Sequence, residues 1–127
     1  MRRCLTVSLV ILLLVAAVGG GCEWYTARAV AAYRQALLPV EAEMAAGSWQ
    51  KAQALAESVA TRWEKDYALV QLWVNHADAD AVSRALRGLI TAIVQRDRLS
   101  ALLYYGDCVE NFAHLHHRDA FTLKNIL

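Results

Sequence analysis

Residues 4 to 22 read CLTVSLVILLLVAAVGGGC, an uncharged stretch of 19 residues preceded by Met1, Arg2 and Arg3. At about 1.5 Å per residue, a helix of that length nearly matches the roughly 30 Å hydrocarbon layer of a bilayer. Three fates compete for it. A secretory signal peptide needs an apolar core of about 7–15 residues followed by small residues at the cut. Leu5 to Val18 is such a core, and both Ala17-Val18-Gly19 and Gly19-Gly20-Gly21 have small residues at suitable spacing. A lipoprotein would carry its acyl chains on Cys22, yet the third residue before it, usually Leu, is Gly19, so Cys22 is a weak lipidation candidate. An uncleaved anchor would use the whole stretch. The flanks favour that last reading: Trp24 and Tyr25 stand where an interfacial aromatic belt belongs, and Arg2 and Arg3 hold the N-terminus in the cytoplasm. Against it, three consecutive glycines weaken the outer end of the helix. The expected placement is single-pass, with the rest of the chain extracytoplasmic.

The remaining 105 or so residues suffice for one core and not for two. Alanine occurs 23 times in the chain, Pro39 is the single proline, and beyond residue 22 the glycines are Gly47, Gly88 and Gly106. That balance of helix former over helix breaker argues for an all-α domain. From Glu23 onward, 11 Lys+Arg face 12 Asp+Glu without runs of like charge, so no nucleic-acid footprint is visible.

Apolar residues alternate at spacings of 3 and 4 over four segments. Residues 24–46 carry Val30, Tyr33, Leu37, Val40 and Met44, with a kink expected near Pro39. After a Gly47-Ser48 break, residues 49–74 carry Trp49, Ala52, Ala56, Val59, Trp63, Val70 and Trp73, with Asp66 at the missed step. The NHADAD stretch, 75–80, reads as a second break. Residues 79–95 then carry Val82, Leu86, Leu89 and Ile93, and 98–117 carry Leu99, Leu102, Val109 and Ala113 after an Asp97 cap. Short connections favour antiparallel neighbours. The expectation is an N-terminal transmembrane helix (1–22), an up-down antiparallel four-helix bundle built as two helical hairpins (23–117), and a tail (118–127). GSWQKA and RDRLSA open the second and fourth helices about 50 residues apart, a weak hint that the hairpins are related.

Chemistry-bearing residues are sparse. His76, His114, His116 and His117 would gather at the membrane end of an antiparallel bundle, near Asp78, Asp80 and Asp119. His76, His114 and His117 are weak metal candidates, and histidines there could also sense pH. Capping or solvated surface is the plainer reading. Trp24, Trp49, Trp63 and Trp73 could stack a ligand, but seam positions favour core packing for the last three. Asp66 within a seam could be a functional buried acid, but a place at the seam's edge or a pairing with an arginine is the plainer reading, because a lone buried charge is costly. Cys108 reads as a small buried residue. No GxSxG, phosphate loop or HExxH motif is present, and His116 and His117 are too far along a helix to activate Cys108. No catalytic residue, enzyme activity or cofactor is expected.

The short basic start, the membrane segment, GSWQKA, RWEKDYALVQLWVNHADAD and the closing FTLKNIL together resemble domain-of-unknown-function family 4363. The resemblance covers nearly the whole chain. It implies a small single-pass helical protein of spore-forming Gram-positive bacteria, an uncleaved anchor, and a protein partner in or near the membrane. It implies no activity. The resulting expectation is an accessory or interaction subunit of a membrane or envelope complex, with a metal- or pH-sensing bundle as the alternative.

Overall fold

The computed structural model describes residues 1–124, with side chains except at residue 2 and at 117–124. The described residues form four helices: α1 (Arg2–Ala45), α2 (Trp49–Val70), α3 (His76–Val94) and α4 (Arg98–Lys124). Each packs on two neighbours in the cyclic order α1, α2, α3, α4, which is an up-down antiparallel bundle.

α1 is one unbroken helix of 44 residues, about 66 Å long. Its first half is the apolar stretch, long and apolar enough to cross a membrane, and the bundle covers none of it. Its second half is a wall of the bundle. Gly19, Gly20 and Gly21, expected to weaken the helix, do not interrupt it, so no break in the backbone separates residues 1–22 from the bundle. Pro39 does not end it either. Pro39 lies on the exposed face, so the Gln35 carbonyl it leaves without an intrahelical donor can bond water, while the adjoining Leu37 and Val40 are fully buried.

The seams expected on the first three bundle helices form the core. Val30, Tyr33, Leu37, Val40 and Met44 of α1 are buried, as are Ala52, Ala56, Val59, Trp63 and Val70 of α2 and Val82, Leu86, Leu89 and Ile93 of α3. Two boundaries move. α2 stops at Val70, placing Trp73 in the α2–α3 turn, and α3 starts at His76, so Asp78 and Asp80 are helical. Asn75 is the cap, its side chain accepting from the Ala77 amide at 2.9 Å, and Asp78 in the first turn suits the positive end of the helix dipole.

α4 is rotated from expectation. Leu99 and Leu102 are exposed and Val109 and Ala113 half-buried, whereas Ala101, Cys108, Phe112 and Leu115 enter the core. On the side toward α3, Gly88 makes room for the Tyr104 ring of α4, with which an added methyl group would collide. α4 also continues through 118–124 to Lys124, so that part of the expected tail is helical, and 125–127 lie outside the described residues.

The distal turns share one geometry. Gly47 takes φ 75°, with the Gly47 amide donating to Met44 O (3.1 Å) and the Ser48 amide to Glu43 O (2.9 Å). Forty-nine residues later Arg96 takes φ 55°, its amide bonding Ile93 O (3.0 Å) and the Asp97 amide bonding Ala92 O (3.0 Å). Both are Schellman terminations. Asp97 then caps α4, accepting from the Ser100 amide and hydroxyl, and these bonds hold its carboxyl below the usual carboxylate range. Ser48 makes no such side-chain bond. A left-handed conformation costs a non-glycine residue about 1–2 kcal/mol. Arg96→Gly is therefore expected to stabilise the bundle by about 1 kcal/mol, read as a higher urea midpoint at unchanged slope.

Candidate functional site

Four aromatic rings tie the middle of the bundle together. Tyr33 of α1 stacks on Phe112 of α4 at 4.7 Å, and Trp63 of α2 meets both edge-on, at 5.7 and 5.4 Å. Tyr67 approaches Trp63 at 6.0 Å. The polar tips of these rings are all satisfied across helices. Tyr33 donates to Asp66, Tyr67 donates to Asp80, and the Trp63 indole donates to Ser83 Oγ at 2.8 Å. Asp66, the missed step of the α2 seam, is half-buried, as expected of the seam's edge, and accepts from a phenol, while Arg62 lies over the Tyr33 ring at 5.0 Å. Burial first, and the bond to Asp66 second, push the Tyr33 phenol well above its ordinary value.

Between α2 and α3 the Tyr67–Asp80 bond lines an open groove of about 420 Å³, formed by Glu64, Tyr67, Asp80, Ser83, Arg84 and Arg87. Its α3 residues recur at i, i+3, i+4 and i+7, a polar stripe that starts inside the NHADAD stretch and is legible in the sequence once that stretch is helical. The bond to Asp80, ahead of burial, raises the Tyr67 phenol, so this hydroxyl is a donor at neutral pH and not a base. A second groove, about 430 Å³, runs between α1 and α4 along Leu38, Arg34, Tyr105 and Val109. Burial and the Glu41 carboxylate push the Tyr105 phenol up to about 12.

The second groove borders a face that sequence reasoning assigns to the core. Leu99, Leu102 and Leu103 are 70%, 47% and 63% exposed on the side of α4 opposite Ala101 and Cys108, with the open backbone of Gly106 beside them. α4 is apolar on two faces, and only one is covered.

Among the described residues no three His, Cys, Asp or Glu side chains are placed to hold a metal ion. His76 is exposed at the start of α3. His114 is exposed, 3.8 Å from Glu110 one turn back, and His116 is half-buried. The side chains of His117 and Asp119 lie outside the described residues. Cys108 is fully buried, and burial with the Asp107 charge pushes its thiol up to about 12, so it is protonated and inaccessible. Trp63 is core, Trp49 and Trp73 are half-buried against it, and Trp24 is exposed under the Arg28 guanidinium at 5.3 Å. Cys22 is half-buried at the end of the apolar stretch.

A family model described as "Domain of unknown function (DUF4363)" matches residues 24–126, beginning just beyond the apolar stretch. No curated protein and no solved structure matches the chain.

Because folding raises the Tyr33 phenol, the folded state holds that proton more tightly than the unfolded chain. Its contribution to stability is complete below the unfolded value of about 10 and is lost as pH rises beyond it. Urea unfolding from pH 7 to 11 is expected to show stability falling above about pH 10. Tyr33→Phe should make that fall shallower and, by leaving Asp66 without its donor, cost about 1–2 kcal/mol at pH 7. An unchanged alkaline slope would remove Tyr33 from the account.

Proposed function

The chain belongs to domain-of-unknown-function family 4363, and from that premise we propose that it is a membrane-anchored, extracytoplasmic interaction subunit that binds a protein partner rather than catalysing a reaction. The observation that carries this reading is α1, a single helix whose uncovered apolar half passes directly into the bundle wall. Arg2 and Arg3 at its start and Trp24-Tyr25 beyond its apolar run supply the expected orientation. The second apolar face of α4, Leu99, Leu102 and Leu103, supports the partner: clustered exposed leucines mark association surfaces more often than isolated ones.

Full-length protein expressed in a Gram-positive host and solubilised in mild detergent should give an intact mass beginning at Met1 and a stoichiometric partner. Leu102→Asp with Leu103→Asp should lower partner recovery at least tenfold, about 1.4 kcal/mol, with an unchanged circular dichroism spectrum. A clean monomer would overturn the interaction role. A secreted truncated mass, or an acylated one starting at Cys22, would overturn the anchor.

A further inference from the structure

We propose that the α2–α3 turn is a second membrane contact, with Leu72 and Leu69 joining Trp24 in the lipid headgroup zone at the base of the bundle. The inference rests on the anchored reading of α1 and adds the orientation of the bundle to it.

Height along α1 is the first ground. Glu23 is the first charged residue after Arg3, so the hydrocarbon edge falls near Cys22. Trp24 and Thr26 then stand about 3 and 6 Å beyond that edge. The headgroup zone is about 5–8 Å deep on each side of a bilayer, which contains both residues.

The turn is fastened to α1 at that height. The Trp73 indole donates to Thr26 Oγ1 at 2.9 Å, while the Thr26 hydroxyl donates to the Cys22 carbonyl at 2.9 Å. The Trp73 ring also meets Tyr25 edge-on at 5.7 Å. Trp73 is thereby held inward and its neighbour Leu72 is left 76% exposed, while Trp24, next to Tyr25 on α1, is 62% exposed. Leu69, one turn earlier, is exposed as well.

The composition of the turn agrees. YALVQLWVN, residues 67–75, contains no charged residue, whereas turns bathed in water are built mainly of polar and glycine residues. Arg28, over the Trp24 ring, sets a cation at the level of the lipid phosphates. An apolar tip, a tryptophan pair and a nearby arginine at one height fit a lipid surface.

Collision accessibility of nitroxide labels in the full chain tests this. Cys4 and Cys22 are replaced by Ser, and the fully buried Cys108 is kept. Single cysteines then replace Leu72, Leu13 in the apolar stretch and Gln50 at the distal end, with Leu69→Cys as a second probe of the turn. The proteins are reconstituted in phosphatidylcholine–phosphatidylglycerol vesicles. The Leu72 and Leu69 labels should favour dissolved oxygen over a water-soluble nickel chelate several-fold more than the Gln50 label, and less than the Leu13 label. Turn labels matching Gln50, with Leu13 in lipid, would overturn the inference and leave the anchor standing. Turn labels shielded from both colliders would also overturn it, by assigning the turn to a protein neighbour. A Leu13 label in water would overturn the anchored reading itself.

Discussion

An α-helix in hydrocarbon cannot release its backbone hydrogen bonds, because each unpaired amide or carbonyl costs several kcal/mol with no water to replace its partner. In water, Gly19, Gly20 and Gly21 would together cost about 3 kcal/mol relative to alanine. Within or beside a bilayer the penalty for breaking the helix is larger, and α1 runs through all three. The architecture depends on that continuity. A helix that runs unbroken out of the apolar stretch presents Val30, Tyr33, Leu37, Val40 and Met44 as a ready seam, and the other three helices complete the bundle around it.

The polar contacts are placed where they fix register. Tyr33–Asp66 joins α1 to α2, Trp63–Ser83 and Tyr67–Asp80 join α2 to α3, and Trp73–Thr26 joins the α2–α3 turn to α1. At the far end the Arg98 guanidinium donates to the Ala45 carbonyl at 3.2 Å, joining α4 to α1. Apolar seams alone permit helices to slide by a turn, whereas each of these bonds is lost if they do. The Tyr33–Phe112 stack also sets the height of α4. Counting rise along the helices from that stack puts Leu102 about 30 Å along the bundle from Cys22. The uncovered leucine face thus belongs to the end of the bundle far from the apolar stretch.

Much of this is legible in the sequence, for physical reasons that also explain the misses. Apolar spacing of 3 and 4 locates α1, α2 and α3 because each has a single apolar face. α4 has two, and periodicity selects the one bearing Leu99 and Leu102, since leucine outweighs the Ala101 and Cys108 that enter the core. The seat of Tyr104 against Gly88 involves a different helix and leaves no local signal in α4. Asp66 stands out as anomalous in its seam, but its partner Tyr33 lies 33 residues away. The NHADAD break is displaced because Asn and Asp suit both turns and first helical turns; Asn75 as cap decides between them. The weak likeness of GSWQKA and RDRLSA corresponds to a shared turn geometry, with Arg96 as the counterpart of Gly47.

Continuity of α1 through the glycines is the claim on which the rest stands. Electron–electron distance measurement between nitroxides at Val15→Cys and Ala32→Cys tests it, in the full chain in lipid nanodiscs with Cys4 and Cys22 replaced by Ser. The helix predicts one narrow distribution near 25 Å, from about 17 residues of rise. A broad distribution, or one centred well below that distance, would mean that the chain bends at Gly19–Gly21 and that anchor and bundle are separate bodies.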